Sequence, residues 1–598
     1  METLKKNYII VIIVAAIIVF SGFYLYNQNL KAQREEELTQ QEEERVEALR
    51  QAKYDRWEDW SRTLYVGTNV VDFHPGINVG RGGATNSISI YGRGGKLLWV
   101  DKDDWSIFNP GIAESWEWKQ NAAGEAYIEY KIKEGLKFPD GTTVNAAAVK
   151  YSWEQEYFEL PEREIHQDTY HLYTHEMGWK RLEVPDELTL WQFLPENAQT
   201  YIPLPFAFMY ALPHATIVSP TSTEQYAKES NDIEDFLNQV GYGPWLLESF
   251  EMGVGYTMIP FDDYPVNPLG GYAGPTKVTK LDRLVVKIYG DPMSMRMALE
   301  TGEIDVAAWK LSRADIVDLQ DSSDITINIA EELGWTMILR MSYYPEFAPL
   351  NDTRVRRAIL HVVDPDPIVE KVLYGTGIVA NTPVHTFNPY FYPEPLAEIR
   401  ALPSAERIAI AKELMIEAGY PDGFTTQIFY DGADETRETA TILQQQLAQI
   451  GITLEIKLVE AGVYREMYRG GQCPMYLSGW SPDYNDPDAE LWYLLRHEHL
   501  YSDDGYYDLE MDALLELGKN LYNPLGDPPE REGVYKEIQQ KIVDEAIDIV
   551  LYYDSSWMAQ RNWVKGYEPW LTTARIYLGT WNAYKDIPAD WETSEPPL

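Results

Sequence analysis

The sequence predicts an α/β protein that follows an apolar N-terminal helix. Strand-like and helix-like stretches alternate from about residue 62 onward, one long apolar run lies at the start, and hydrophobic residues make up 45 % of the 598 residues. That hydrophobic share is ordinary for a chain that buries a large core. A wholly disordered chain and a multi-span membrane protein are therefore both excluded.

The first 28 residues are predicted to be a membrane anchor. Lys5 and Lys6 precede an apolar run over residues 8–26, which is just long enough to cross a bilayer as a helix. No cysteine follows the run to carry a lipid, and Ser21 lies in a poor cleavage context. We therefore expect an uncleaved anchor in the cytoplasmic membrane, with a cleaved signal peptide as the alternative.

Residues 29–61 are predicted to form a charged helical stalk. The segment is rich in Glu, Gln, Arg and Lys and contains neither Gly nor Pro, so helix-forming residues dominate. Leu30, Leu38, Val46 and Leu49 make a thin apolar stripe that does not hold a heptad. A solvated helix is therefore favoured over a coiled-coil dimer, and we expect a monomer.

Hydrophobic periodicity predicts the elements of the globular part. Strands are expected at 63–68, 127–132, 281–289, 425–430 and 452–458, and helices at 146–157, 293–300, 404–418 and 435–450. Ser404 is the expected N-cap of its helix, and Gly419 is the expected stop. The strand–helix–strand order from 425 to 458 predicts a parallel sheet with covering helices.

Composition and short motifs exclude several kinds of chemistry. The formal charge of -44 would repel phosphate backbones, so no nucleic-acid partner is expected. Cys473 is the one cysteine, which excludes an intramolecular disulfide and a Cys-based zinc site. The pairs His171/His175 and His497/His499 are each too small to hold a metal by themselves. We expect no metal and no cofactor.

Enzyme and phosphate-binding patterns also fail. The chain has no Gly-x-Ser-x-Gly and no His-Glu-x-x-His sequence. The Gly-rich stretch 76–95 does not match a phosphate loop, because Lys96 is followed by Leu97. The acidic cluster from Asp503 to Asp512 lacks the glycine and the final Glu of an EF-hand. The sequence therefore predicts a protein that is not an enzyme.

Six longer segments follow one another in a specific order. They are Ile112–Trp118 (IAESWEW), Gly135–Thr142 (GLKFPDGT), Gly241–Trp245 (GYGPW), Met297–Asp305 (MALETGEID), Asp352–Ile359 (DTRVRRAI) and Gly479–Asp488 (GWSPDYNDPD). Together they resemble the family-5 solute-binding proteins of ABC importers, the oligopeptide- and dipeptide-binding group. The resemblance covers about residues 62 to 580, and six matches in order are far more specific than one.

This resemblance implies a two-lobed periplasmic-binding-protein-like fold with an extra domain. The first lobe would take residues 62–85, 241–335 and 555–598, the additional domain 86–240, and the second lobe 336–554. Such a protein captures its ligand outside the cytoplasm, between the lobes, and delivers it to the permease of an importer. The ATPase would be a separate subunit, which agrees with the missing phosphate loop.

The resemblance also implies the binding residues. In peptide-binding members, the aspartate corresponding to Asp483 accepts the α-ammonium of the peptide, and Trp480 and Tyr484 would line the cleft beside it with Gly479. This role is physically reasonable, because a buried carboxylate needs a cationic partner and a bound ammonium supplies one.

Three further positions bear on the ligand. Tyr552 and Tyr553 fall where the family has an aromatic strand close to the ligand. Some oligopeptide-binding members carry an arginine three residues before the tryptophan, where this chain has Leu477. This chain therefore lacks, at that position, an arginine that would bind a carboxylate of the ligand. Its absence weakens the expectation of a preference for short peptides.

The ligand class stays open between two readings, and a third reading changes the function. Asp483 favours peptides, and the family resemblance favours oligopeptides among them. The 19 Trp and 42 Tyr favour an oligosaccharide instead, because aromatic rings stack on sugars. Metal complexes and other solutes are further ligands within the same fold. A surface receptor or chaperone without a transport partner is the alternative outside transport.

Overall fold

The computed structural model describes most of the chain. The described residues are 2–68, 97–100, 108–157, 181–194, 217–227, 238, 240–264, 279–308, 311–330, 335–481, 486–496, 504–522, 528–567 and 583–597. Outside them lie the Gly-rich stretch 76–95, both histidine pairs, Asp483, Tyr484 and Asp503.

The described strands and helices are numbered in chain order. The strands are β1 (Thr63–Thr68), β2 (Leu98–Val100), β3 (Phe108–Pro110), β4 (Ala113–Gln120), β5 (Ala126–Ile132), β6 (Arg181–Asp186), β7 (Thr189–Phe193), β8 (Trp245–Glu251), β9 (Gly255–Pro260), β10 (Arg283–Ile288), β11 (Val306–Ala307), β12 (Ile325–Ala330), β13 (Thr336–Met341), β14 (Ile378–Val379), β15 (Thr425–Tyr430), β16 (Thr453–Leu458), β17 (Met475–Trp480), β18 (Ile549–Tyr553), β19 (Ser556–Arg561), β20 (Val564–Lys565) and β21 (Tyr584–Lys585). The helices are α1 (Glu2–Ser61), α2 (Ala146–Tyr157), α3 (Pro292–Thr301), α4 (Arg313–Leu319), α5 (Thr353–Val362), α6 (Asp366–Lys371), α7 (Glu394–Ala401), α8 (Ser404–Glu417), α9 (Asp434–Leu447), α10 (Ala461–Arg469), α11 (Asp488–Leu495), α12 (Leu509–Asn520) and α13 (Pro529–Glu545). Short helical turns occupy Pro220–Ser222, Thr223–Ala227, Pro345–Phe347 and Ala448–Ile450.

One compact unit combines helix α1 with the C-terminal residues from Asp586 onward. Within it, the rings of Tyr54 and Trp591 meet edge to face at 5.2 Å, and Arg50 Nη2 donates to Glu592 Oε1 at 2.6 Å. The residues from Asp586 onward thus group with α1, whereas the first lobe was predicted to run to residue 598. The last residues pack on the N-terminal helix because aromatic and charged side chains pair there.

Helix α1 contains the predicted apolar segment. From Ile10 onward it includes an 18-residue window with a mean hydropathy of 2.3, none of which is buried. Length and composition therefore suffice for a membrane span, although a signal sequence meets the same criterion. The stripe residues Leu30, Leu38, Val46 and Leu49 are exposed. The helix is a candidate anchor.

The second unit, residues 63–585, contains a mixed seven-stranded sheet in the order β12-β19-β11-β1-β10-β9-β8. Strand β1 pairs in parallel with β10 and β11, whereas β19 runs antiparallel to β11 and β12. Alternate residues of β1, such as Leu64 and Val66, are fully buried. Met295 and Leu299 of α3 pack with Ile316 of α4 in a second cluster, so helices cover this sheet.

A six-stranded sheet forms the core of the other lobe, in the order β14-β18-β13-β17-β15-β16. Strand β15 is parallel to both β16 and β17, which confirms the predicted parallel arrangement across α9. Strand β13 is antiparallel to β17 and β18. Apolar residues of β15 and α9, among them Ile428, Ala440 and Leu443, belong to one buried cluster.

A smaller antiparallel sheet, in the order β4-β5-β7-β6, is formed by residues between β1 and β8 of the seven-stranded sheet. The ring of Trp153 on α2 meets Tyr130 of β5 edge to face at 6.3 Å, and both side chains are fully buried. The strands of all three sheets fall within the ranges predicted for the lobes and the additional domain. Those boundaries stay predictions.

Local details of the predicted elements are partly confirmed. The helix at 146–157 and the strand at 425–430 have the predicted bounds. Gly419, with φ +88°, follows helix α8 as expected for a stop. The N-cap prediction is wrong, because Pro403 precedes the helix without a side-chain cap and Ser404 is already helical.

Candidate functional site

Two crossovers join the seven-stranded and six-stranded sheets. The chain passes from β12 to β13 and returns from β18 to β19 through Asp554 and Ser555. The backbone N–H of Asp554 donates to the carbonyl of Trp335 at 2.9 Å, so the return crossover lies beside the residue that leads into β13.

Strand direction brings the ends of many strands to these crossovers. Because β13 starts there and is antiparallel to β17 and β18, the carboxyl ends of β15, β17 and β18 lie at the same sheet edge. In the other sheet, β12 ends there, and β1 and β11 point the same way. We call these strand ends and the crossovers the interlobe edge. Open α/β sheets bind ligands outside the carboxyl ends of their strands, so this edge is the candidate site.

Gly479 lies at the interlobe edge for a steric reason. In the ladder it pairs with Met337, and Trp480 pairs with Thr336. A Cβ at position 479 would lie 2.6 Å from the carbonyl oxygen of Thr336 and 3.4 Å from Cε3 of Trp335. Glycine is therefore required by close approach of the neighbouring strand.

Trp480 ends strand β17 and is partly buried. Its ring stacks on Tyr493 of helix α11, with centroids 4.6 Å apart and planes 20° apart. It also packs against two apolar clusters. One side of the predicted cleft residue is therefore committed to packing within the protein.

Tyr552 and Tyr553 do not face open space in this structure. Their side chains are 3 % and 1 % exposed, because all five residues of the central strand β18 are buried. The hydroxyl of Tyr553 donates toward the carbonyls of Thr382 and Val384, at 2.6 and 2.8 Å. Both side chains therefore pack inside the lobe, and their contact with the ligand stays a prediction.

Leu477 is likewise a core residue. It is buried in the same cluster as Ile428 and Leu339. The position three residues before Trp480 therefore contributes packing, and no charged side chain of β17 replaces the absent arginine.

A buried ion pair lies just beyond the predicted ammonium anchor. Asp483 is outside the described residues, but Asp486 is held by Arg531 of α13 through two contacts of 2.8 Å. Burial raises the pKa of Asp486 to about 6, although Arg531 opposes that rise. Arg531 also donates to the carbonyl of Gly518 at 2.8 Å. These contacts tie the start of helix α11 to α12 and α13.

A second buried acidic group, Glu490, is paired with a histidine. Its Oε1 lies 2.7 Å from His385 Nδ1 and accepts the backbone N–H of the same residue at 3.0 Å. Burial raises the pKa of Glu490, while His385 lowers it. Both side chains are inaccessible to solvent, so the pair lies inside the lobe.

One arginine connects the two lobes across the interlobe edge. Arg313, the first residue of α4, donates to Glu435 Oε1 at 2.9 Å and to Thr376 Oγ1 at 2.8 Å, and it pairs with Asp554. Its guanidinium also lies 4.4 Å from the ring centroid of Trp557. Burial raises the pKa of both Glu435 and Asp554, and Arg313 opposes each rise.

Among the described residues, no group of three or more His, Cys, Asp or Glu side chains could hold a metal ion. Asp504, from the acidic cluster, contacts Arg340 Nη2 at 3.0 Å instead. Asp508 caps helix α12, accepting the N–H of Glu510 at 2.8 Å. Within this part of the chain, the acidic residues are used in ion pairs and caps.

Comparison with protein-family models identifies the family to which this two-lobed architecture belongs. The model of the bacterial extracellular solute-binding proteins, family 5 (middle), matches residues 108–502, about two thirds of the chain. The chain belongs to this family. The resemblance predicted from the six segments is confirmed.

The names and structures of proteins similar to this family-5 protein mention several different ligands. A probable D,D-dipeptide-binding periplasmic protein of Escherichia coli (strain K12) is 25 % identical over 78 % of this chain and 87 % of its own. A Helicobacter pylori periplasmic binding protein, solved with the peptide STSA, has a TM-score of 0.67 at 21 % identity, covering 88 % of this chain and 98 % of that one. AgaA from A. tumefacien R10, solved with agropinic acid, has a TM-score of 0.68 at 21 % identity, covering 88 % and 99 %.

Family membership settles the broad class. The two-lobed periplasmic-binding-protein fold is confirmed, and so is the prediction that this family-5 protein binds solutes and is not an enzyme. The family is an extracellular one, so the binding unit works outside the cytoplasm.

Sequence reasoning missed two residues of the interlobe edge. Arg313 lies more than a hundred residues from Glu435 and from Asp554 in sequence. No local sequence pattern therefore predicts these contacts. Trp335 directly precedes strand β13, and that position before an apolar strand is its one sequence signal.

Proposed function

We propose that this family-5 protein captures peptides at the interlobe edge and delivers them to the permease of an ABC importer. The observation that carries the proposal is the convergence of strand ends from both lobes near the hydrogen bond between Asp554 and Trp335. Names of relatives add support, because both a dipeptide-binding protein and a structure with a bound peptide are similar to this chain.

Asp483 is the proposed anchor for the α-ammonium of the peptide. The proposal rests on its place in the segment that follows Gly479 and Trp480 at the end of β17. An ammonium would supply the cationic partner that a carboxylate taken out of water requires. We leave Tyr552 and Tyr553 out of the proposed site because both are packed, and we keep Tyr484 in it from the resemblance.

An oligosaccharide is the second candidate ligand. Two observations favour it: Leu477 stands where some oligopeptide-binding members have arginine, and the half-exposed ring of Trp335 could stack on a sugar. The agropinic acid complex also shows that a protein of this fold binds a ligand other than a simple peptide.

A thermal-shift screen of the full chain in detergent tests the ligand class. Tri- to pentapeptides are compared with maltotriose and longer maltodextrins, because a ligand of the folded state raises the melting temperature. We expect peptides to raise it, N-acetylated peptides to have no effect, and Asp483→Asn to abolish the peptide effect. Asp544→Asn, an exposed residue of α13, is the matched control. A rise with maltodextrins alone would overturn the peptide ligand and the role of Asp483.

Transport and anchoring are tested in cells. We propose that α1 stays uncleaved and holds a monomeric binding unit on the outer face of the cytoplasmic membrane. Loss of the gene should lower uptake of a labelled tripeptide, and Asp483→Asn should not restore it. The chain should remain in the membrane pellet after alkaline carbonate extraction, with Met1 or Glu2 as its N-terminus. Release into the supernatant would show cleavage.

A further inference from the structure

Trp335 combines exposure with a fixed position at the interlobe edge. Its side chain is 48 % exposed, the highest exposure among the tryptophans whose side chains the structure describes. Isolated exposed apolar residues are common on protein surfaces, so exposure alone decides nothing. What distinguishes Trp335 is the way its neighbours hold it.

The backbone of Trp335 is held by strand β13 on one side and by the return crossover on the other. It directly precedes Thr336, the first residue of β13, and its carbonyl accepts the N–H of Asp554 at 2.9 Å. The residue therefore sits where the chain enters one lobe and is hydrogen-bonded where the chain leaves it. A side chain on such a backbone is presented to a ligand with little loss of conformational freedom.

The ring lies beside the strand end that leads to the proposed peptide anchor. Its Cε3 is 3.4 Å from the position of a Cβ at Gly479, and Gly479 precedes Asp483 by four residues. Any larger residue at 479 would also meet the Thr336 carbonyl. Gly479 thus leaves the space that the indole ring occupies next to β17.

Three other aromatic side chains that the structure describes at this edge pack inside the protein. Trp480 stacks on Tyr493, and Tyr552 and Tyr553 are buried in the sheet. The nearby charges are also paired, because Arg313 contacts both Glu435 and Asp554. What Trp335 adds at this edge is therefore an apolar aromatic face rather than a charge.

We infer that Trp335 is a ligand-contacting residue of the interlobe site that selects ligands presenting an apolar or ring-shaped group to its indole. This inference rests on the proposed function for the site's location and deepens it by naming a specificity determinant. Aromatic side chains contribute large contact areas at low entropic cost, which suits a site that must bind varied ligands.

The test is isothermal titration calorimetry of the full chain in detergent. Ala-Phe-Ala and Ala-Ala-Ala are the two ligands titrated. We expect the wild type to bind Ala-Phe-Ala more tightly, and Trp335→Ala to weaken that binding about tenfold or more while affecting Ala-Ala-Ala much less. Trp335→Phe should retain the preference within about threefold, because it keeps an aromatic face. A purely structural role would not produce such a ligand-dependent loss.

Controls separate this inference from a folding defect and from the proposed function. Tyr507→Ala removes an aromatic ring that is 63 % exposed and lies near the far end of β13, so it should change neither affinity. Equal losses for both tripeptides, or none, in Trp335→Ala would overturn the inference. If the wild type binds maltotriose but no peptide, the peptide function fails, and the inference stands only if Trp335→Ala weakens maltotriose. If neither class binds, both fail.

Discussion

Two buried arginines, Arg340 and Arg313, have the same chemistry and different structural settings. Each is 2 % exposed and each contacts two carboxylates. The partners of Arg340, Asp504 and Asp548, belong to its own lobe. The partners of Arg313 lie on the opposite lobe and on the crossover. The comparison teaches that a buried ion pair stabilises one lobe or couples two, depending on where its partners are attached.

Removing Arg340 should have the largest effect. Arg340→Met would leave Asp504 and Asp548 buried without their cation, which costs about 3–5 kcal/mol in the free energy of unfolding when one partner of a buried pair is removed. The midpoint of urea denaturation, followed by tryptophan fluorescence of the full chain, should fall clearly. Arg354→Met, at an exposed arginine of α5, is the control and should leave the midpoint unchanged. An unchanged midpoint in Arg340→Met would show that the lobe tolerates the two carboxylates.

The second-largest expected effect is the pH dependence of stability that arises from Asp548. Burial raises the pKa of Asp548 to about 6, and Arg340 opposes that rise. Because an unfolded Asp titrates near pH 4, folding takes up a proton between about pH 4 and 6. This carboxyl therefore contributes stability below about pH 4 that is lost as the pH rises through 6.

Urea denaturation between pH 4 and 7 measures this effect. Relative to Asp548→Asn, which does not titrate, the wild type should lose up to about 3 kcal/mol as the pH rises across that window. A wild-type advantage that grows with pH would mean that the ion pair, rather than burial, dominates and that the pKa is lowered.

Removing Arg313 should lower the free energy of unfolding less than removing Arg340 does. It should also increase local opening at the second crossover. In Arg313→Met, Glu435 can turn to solvent because its side chain is 45 % exposed. The lost charged hydrogen bonds therefore cost about 1–3 kcal/mol rather than the larger amount expected for Arg340. Hydrogen exchange at the second crossover, where the Asp554 amide is bonded to Trp335, should become faster. Arg437→Met on α9, an exposed arginine, should leave that exchange unchanged. Unchanged exchange in Arg313→Met would remove its proposed role in coupling the lobes.

The smallest effect is expected at the exposed pair Arg50–Glu592. Both side chains are about half exposed, and ion pairs of that kind contribute little to stability because water and salt screen them. Glu592→Gln should leave the denaturation midpoint unchanged, while Trp591→Ala, which removes the contact with Tyr54, should loosen the C-terminal residues in a proteolysis assay. A clear drop in Glu592→Gln would show that this pair behaves like a buried one.

Local sequence patterns predicted the elements well where one pattern acts alone. The alternation in Thr425–Tyr430 and the helical composition of Ala146–Tyr157 led to the observed bounds. Prediction failed where a nearby residue competes. Ser404 is a preferred cap type, yet the chain enters helix α8 one residue earlier, at Pro403.

The candidate site was predictable only in part. The Gly479–Asp488 motif pointed to the end of β17, because a family motif keeps its local structure. The burial of the aromatic residues was harder to predict, since an all-apolar strand such as β18 does not reveal which side chains its neighbours cover. Tyr553 was expected at the ligand and is buried, whereas Trp335 was overlooked and is exposed.

The sequence by itself determined the family, the alternation of strands and helices, the parallel pairing across α9 and the apolar N-terminal helix. Those properties depend on periodicity and short motifs, which act over a few residues. Only the tertiary structure decided which side chains reach the interlobe edge and that Arg313 pairs with Glu435 and Asp554, 122 and 241 residues away. Exposure and long-range ion pairing depend on which strands become neighbours, and no local segment of the chain contains that information.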